Sequence, residues 1–442
     1  MNLEKLVSWR LFVSLVAIFL VLHSQVDAQS AGDGEGSKSL LDTLMYPIRE
    51  TFRKARRLFG SRMDNVHEFV EGGFSSMQAE TFGTFMQLYN KSYSPSELPK
   101  RMALFFERRK LIEDSVKAFS EGKLPFTMQE NPFIDWDETE LRALTGVSPP
   151  KSLDELSAEE REAFLNNDPQ PAEGNSVAGD EATEEDTITL DIPMVSKSFE
   201  TSEANLTVRA PVSIPAKKDW RTSDCVAAPM DQEKCGCCYA IATMGVLESM
   251  RCLTQVSSPI LSVQQIIDCS TPRAGYKNYG CNGGWPTRVL KYLQDVGVST
   301  RQICYPFVKR QEYCKLNKVR QVTGCPIRAS ASNDVGLRYK VLNNERDILY
   351  HVATTGPVIT VMRATDRFLY YGSGIFDDPK CSRKADDVDH AIQIVGYGRE
   401  NGIDYWLIKN SWGASWGQAG YGKYKRGTNA CSIGHWGWVI LP

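Results

Sequence analysis

The chain has 442 residues, more than one hydrophobic core normally serves, so two or more units are expected. Hydrophobic residues at 42% and aromatics at 10% are ordinary for a globular protein. A formal net charge of −3 gives no electrostatic case for a nucleic-acid partner, so partners must be sought in local features.

At the N-terminus Lys5 and Arg10 precede an apolar run, Leu11 to Leu22, and Val26-Asp-Ala28 supplies a small-residue cleavage site. That pattern predicts a secretory signal over residues 1–28, too short to span a bilayer comfortably. No other apolar stretch is long enough to be a transmembrane segment. The expectation is a soluble mature protein in the secretory pathway, lysosomal or extracellular, where disulfides persist. Residues 29–78 form a basic extension with Arg49, Arg53, Lys54, Arg56, Arg57 and Arg62. A solvated helix face is preferred there over contact with an anionic surface.

From Ala79 to Gly146 apolar residues recur at spacings of three and four: Phe82, Phe85, Met86 and Tyr89, then Leu104, Phe105, Leu111, Ile112 and Val116. Residues 79–150 are read as a compact α-helical module. Between Ser152 and Ile192 stand thirteen acidic residues and one base, Arg161, a composition that cannot bury enough apolar surface to order itself. Residues 151–213 therefore read as a solvated, protease-accessible linker holding the activation cleavage region, near Arg209–Ile214. Its carboxylates predict acid-sensitive release. Asn90-Lys-Ser92 and Asn205-Leu-Thr207 are glycosylation sequons.

All 12 cysteines lie between Cys225 and Cys431, so the unit 214–442 is stapled and the preceding half is not. Tyr239 to Arg251 carries one apolar helical stripe of Ala240, Ile241, Met244, Leu247 and Met250. After Ala353 come short β-like runs, PVITVM, HAIQIVGYG, DYWLIKNSW and YGKYKRG, separated by Gly-containing turns. A helical half followed by a β half predicts two lobes with a ligand cleft between them.

The stretch Lys234-Cys-Gly-Cys-Cys-Tyr239 admits three chemistries. A redox dithiol wants a strand leading into Cys235-x-x-Cys238, and DWRTSDCVAAPMDQEK offers no convincing one. A metal site wants a second close ligand pair, and none exists. A nucleophile wants a reactive thiol, a base and a group that orients the base. Cys238, at the first turn of a helix, has unpaired N–H groups and the dipole to stabilise its thiolate. Three histidines, His351, His390 and His435, are available in this unit, and His390 starts an apolar strand after Asp389.

Gln232–Ala240, QEKCGCCYA, resembles the active-site segment of papain-like cysteine peptidases. DWR at 219–221, CNGG at 281–284, VDHA at 388–391 and KNSWG at 409–413 follow in that family's order. Upstream, Glu97, Arg101, Phe105 and Ile112, with Asn131-Pro-Phe133-Ile-Asp135, look like its inhibitory propeptide, although Arg108 and Val116 stand where Asn is usual. The resemblance implies an α+β, papain-like two-lobed fold, with a helical left lobe and a β-barrel-like right lobe, preceded by an α-helical inhibitory prodomain.

The resemblance further implies that Cys238 is the nucleophile in a thiolate–imidazolium pair with His390. Asn410 would orient the ring, Trp412 would shield that contact, and Gln232 with the Cys238 N–H would form the oxyanion hole. Gly283, Gly284 and Asp389 would bind substrate. Trp285, Pro286, Val361, Val388, Ala391 and Trp436 would line an apolar pocket for the second residue before the cut. With Trp436 at its floor, small or medium aliphatics are expected. No His-bearing insertion follows Cys281, which implies endopeptidase action. Implied disulfides are Cys225–Cys252, Cys235–Cys281, Cys269–Cys314, Cys304–Cys325 and Cys381–Cys431, leaving Cys237 and Cys238. Cys237 is then a small buried substitute or a second oxidation-sensitive thiol. Partners implied are protein or peptide substrates, the chain's own propeptide and cystatin-like inhibitors, acting on a monomer with no metal or other cofactor. The rival expectation is a catalytically silent, disulfide-stapled scaffold or binding protein.

Overall fold

A computed structural model describes residues 76–152, 155–165, 187–195, 207–254, 259–330 and 336–442. The signal, most of the basic extension and the Asn205 acceptor lie outside them. The chain divides into two units, Met1–Phe106 and Glu107–Pro442. In the first, helix α1 (Ser76–Leu88) and the start of α2 (Leu98–Ser120) share an aromatic cluster. Phe105 packs 5.3 Å from the ring of Phe82 and 4.8 Å from that of Phe85. This is the face that the three- and four-residue spacing predicted. Asn90, beyond α1, is exposed.

In the second unit, Leu111 and Val116 of α2 are largely exposed, so the apolar period overstates the buried stripe, whereas Ile112 is buried. Strand β1 (Phe126–Met128) and the short helix α3 (Glu138–Arg142) follow. Asp137 and Glu140 close a reciprocal cap at the start of α3. Asn131, Phe133 and Asp135 are all buried. Asn131 Nδ2 donates to Leu369 O at 2.7 Å, and Arg108 donates to the carbonyls of Ile134, at 3.0 Å, and Trp136. The basic residue where Asn is usual thus gathers a carbonyl turn.

Two pieces of the acidic stretch, expected to be a solvated linker, are structured. Helix α4 is Ala158–Leu165, and strands β2 (Thr187–Val195) and β3 (Thr207–Pro215) pair antiparallel. Composition misleads here because order comes from a few buried contacts: Leu156 and Glu160 are buried, and Ile214 is 1% exposed. The Arg209–Ile214 region lies within β3.

The peptidase region continues with β4 (Lys218–Asp219), then α5 (Cys238–Thr254), α6 (Val263–Cys269) and α7 (Pro286–Val296). Strands β5 (Val298–Thr300), β6 (Pro326–Arg328) and β7 (Arg338–Leu342), helix α8 (Glu345–Thr354) and strand β8 (Val358–Met362) come next. Last are β9 (Tyr371–Phe376), β10 (His390–Glu400), β11 (Ile403–Lys409), β12 (Tyr421–Lys425) and β13 (Gly437–Leu441). The main sheet runs β1-β9-β12-β11-β10-β8-β13-β7, with β4 beside β10. Among the described residues it is open, with ends at β1 and β7, rather than a closed barrel. Disulfides join Cys225 to Cys252, Cys235 to Cys281, Cys269 to Cys314, Cys304 to Cys325 and Cys381 to Cys431.

Buried on most of its length, α5 packs on β8, β10 and β13 and against α6 and α7. Gly245 allows this approach: a Cβ there would lie 2.3 Å from Gln393 Nε2 of β10. The contact brings the start of α5 beside the start of β10.

Candidate active site

Cys238 opens α5 and His390 opens β10, paired in register with Met362 of β8. Asn410 follows the last residue of β11. Gln232 is tied to the same corner, its N–H donating to Ser411 O at 2.9 Å and its Oε1 accepting from Ser411 Oγ at 2.6 Å. Thus a helix start, a strand start, a strand end and a loop converge, which no local spacing reveals.

Asn410 Oδ1 accepts from Ser411 N at 2.8 Å, which sets the amide orientation, and lies 2.8 Å from His390 Nε2. An acceptor at that nitrogen places the ring proton on Nε2 and leaves Nδ1 an unprotonated base. Nδ1 is buried and, among the described residues, has no hydrogen-bond partner. The Cys238 sulfur accepts from Ala391 N, the residue after the histidine, at 3.4 Å. Trp412 lies over the imidazole with ring centroids 4.4 Å apart and 28° between planes.

Both groups are fully buried. Burial pushes the Cys238 thiol up to about 12, against the pull of the N–H groups of Ala391, Gly146 and Tyr239. Burial also pulls His390 down to about 4, against its bond to Asn410. In this closed chain both directions favour neutral thiol and neutral ring, because an ion pair has no water to support it. Cys237 is free and buried, and burial raises its thiol well above the ordinary range.

What closes the site is the segment 143–148. Leu144 O accepts from Gln232 Nε2 at 3.0 Å and from Trp412 Nε1 at 2.9 Å. The N–H groups of Gly146 and Val147 donate to Asp389 O at 3.0 and 2.9 Å. Gly284 N donates to Gly146 O at 3.0 Å, and Ser148 N donates to Gly284 O at 2.9 Å. Val147 pairs with Gly284 in a parallel bridge and belongs to the buried cluster of Trp285, Val361, Val388, Ala391 and Trp436. The Trp436 ring meets that of Trp285 edge-on at 5.6 Å, and Pro286 opens α7 beside them. Gly283, with φ of +112°, carries the chain under Ser148.

Two residues that flank the thiols also find partners. Tyr239 OH donates to Gly280 O at 3.0 Å, and Lys234 pairs with Glu140 of α3 at 2.7 Å. Leu144, Gly146 and Glu160 were not singled out from the sequence. Ser157-x-x-Glu160, a capping-box pattern, was the available signal for the last.

The papain family cysteine protease profile matches residues 214–438. The chain belongs to the papain family. A cathepsin propeptide inhibitor domain matches residues 82–141. Pro-cathepsin H of Medicago truncatula is 30% identical over 362 residues, covering 81% of this chain and 85% of that one. Thiol protease aleurain of Arabidopsis thaliana is 35% identical over 221 residues, 50% of this chain and 58% of the relative. The solved structure of digestive procathepsin L2 proteinase from Tenebrio molitor larval midgut superposes with a TM-score of 0.62 at 27% identity, covering 83% of this chain and 100% of that one. Recombinant stem bromelain precursor gives 0.59 at 25% identity, with 83% and 99% covered. This papain-family chain is therefore a cysteine endopeptidase made as a zymogen with its own inhibitor domain. Its five disulfides fit a secretory route, and among the described residues no helix is long and apolar enough to cross a membrane.

Proposed function

We propose that Cys238 attacks the substrate peptide carbonyl, with His390 as its proton partner. Once segment 143–148 leaves, water reaches both groups and the proton passes from sulfur to Nδ1, giving the thiolate–imidazolium pair. The sulfur bonds to the carbonyl carbon and its oxygen takes the negative charge, facing Gln232 Nε2 and the Cys238 N–H. The imidazolium protonates the departing amine and leaves a thioester. Water, deprotonated by the same nitrogen, then hydrolyses it and restores the thiol. Asn410 keeps the ring in the productive tautomer, and Trp412 screens their bond from solvent.

One observation carries this reading: a buried, unprotonated Nδ1 without a partner among the described residues, on a ring whose other nitrogen is fixed, beside a helix-initiating thiol. A peptidyl epoxide that traps thiols tests it on the activated chain. Labelling is expected to persist in Cys237→Ser and vanish in Cys238→Ser; the reverse result overturns the assignment.

The prosegment binds the groups assigned to substrate, Gln232, Gly284 and Asp389, which supports their role. Val147 in the apolar cluster supports a small or medium aliphatic at the second residue before the cut. We further propose a monomer restrained by cystatin-like inhibitors, glycosylated at Asn90 and Asn205, and acting in lysosomes or outside the cell.

A further inference from the structure

Beyond the cleft the acidic segment docks a second time. Glu160 N donates to Ser157 Oγ at 3.1 Å and Ser157 N donates to Glu160 Oε2 at 3.0 Å, so the start of α4 is capped from both sides. The other oxygen, Oε1, accepts from Trp285 Nε1 at 2.7 Å and from Thr287 Oγ1. Glu160 is 1% exposed. A carboxylate leaves water at this cost only where its oxygens are bonded, and here both are. Its donors sit at the first turn of α7, an eleven-residue helix whose N-cap, Trp285, makes no side-chain cap bond. The positive end of that helix is therefore met by an anion from another segment. Arg288, one residue on, pairs with Glu155 at 3.3 Å. Leu156, just before the cap of α4, is buried in the cluster that contains Trp285.

We propose that the start of α7 is a carboxylate-binding docking site, separate from the catalytic thiol, for which Glu160 is the ligand in the closed chain. It recognises a glutamate in the first turn of a short acidic helix, with an apolar residue ahead of the cap. The inhibitor-domain match ends at 141, so this site engages residues beyond it. The cleft-filling segment 143–148 is then held on both sides, by Glu140 on Lys234 before it and by Glu160 on α7 after it. Two linked anchors keep a segment in place far better than one, because release of either leaves the other at high effective concentration. This deepens the reading of the cleft as the active site, and rests on it for one of the two readouts below.

The test uses the full-length chain. In a Cys238→Ser background, amide hydrogen exchange is followed at Gly146, Val147 and Ser148, whose acceptors are Asp389 O and Gly284 O. Glu160→Ala is expected to speed exchange there by at least about ten-fold, the scale of one lost hydrogen bond to a charged group. Glu160→Gln, which keeps an oxygen for Trp285 Nε1, should fall between the parent and Glu160→Ala, and Thr287→Val should also accelerate exchange. Exchange in β10 and β11 serves as the folding control. A smaller rise in Glu160→Ala, or Glu160→Gln exchanging as fast as Glu160→Ala, overturns the docking site. With Cys238 present, epoxide labelling of the zymogen should quicken in parallel. Faster exchange without labelling would leave the docking site standing and count against Cys238 as the nucleophile.

Discussion

Replacing Gly146 by alanine puts a methyl group where the closed chain has no room for one. A Cβ at this position would lie 2.1 Å from Gly236 O, 2.3 Å from its carbonyl carbon and 2.9 Å from its Cα. These are backbone atoms and cannot rotate away. Gly236 N donates to Cys281 O at 2.8 Å, and the neighbouring Cys235 is bonded to Cys281, so that wall is fixed. The prosegment must therefore lift by roughly 1 Å to restore ordinary contact distances. Four hydrogen bonds of 2.9–3.0 Å, joining Gly146, Val147 and Ser148 to Asp389 and Gly284, depend on its present position. At about 0.5–1.5 kcal/mol each, losing most of them costs about 2–4 kcal/mol, or roughly 30- to 1,000-fold in the closed-to-open ratio. The assay is the rate at which a peptidyl epoxide labels the uncut zymogen. Labelling of Gly146→Ala at the parent's rate would refute the claim that flat contact at this residue closes the site.

Gln232→Ala should lower kcat of the activated enzyme by about 100- to 1,000-fold, the usual cost of one oxyanion donor, with little change in KM; an unchanged kcat would remove Gln232 from the mechanism. The closed form should also loosen in acid. With Cys238 replaced by serine, so that no thiol proton moves to the ring, His390, pulled down to about 4 by burial, disfavours protonation only while covered, and closure is fully stable above the ordinary value of 6.5. It weakens as pH falls toward 4, where the penalty reaches about 3 kcal/mol. Asp389, pushed up to about 6 by burial, acts in the opposite sense. Its side chain, however, is 22% exposed and paired with Arg363 at 3.0 Å, so its share is smaller. Amide exchange at Gly146, corrected for its intrinsic pH dependence, should rise from pH 6.5 to 4; a flat profile would contradict this account.

The peptidase unit was largely legible because its chemistry sits in short motifs. KCGCCY placed Cys238 at a helix start and HAIQIVGYG placed His390 at a strand start, whereas DYWLIKNSW was read as one β-like run and the strand ends at Lys409, just before Asn410. Those motifs could not show that the thiol and ring are covered and neutral, since burial comes from the segment 143–148, far from both in the chain. The structured pieces of the acidic stretch were not legible for a related reason. Its composition averages over thirteen acidic residues, whereas the placement of its first described piece depends on Glu160 and Leu156, whose partners on α7 are distant in the chain. The strand β1 carried too short a pattern, three residues, to stand out before its partner β9 was known.

That strand has a consequence for the enzyme after activation. Phe126, Thr127 and Met128 lie antiparallel to β9, and Pro125 O accepts from Ile375 N at 2.9 Å. When the prosegment departs, this flank of Tyr371–Phe376 loses its neighbour and its amides turn to solvent. A bare sheet margin accepts any extended peptide that reaches it. Maturation therefore creates two vacancies at once, the cleft over Cys238 and a seat for an added strand, and any polypeptide restraining the mature enzyme has both to grip.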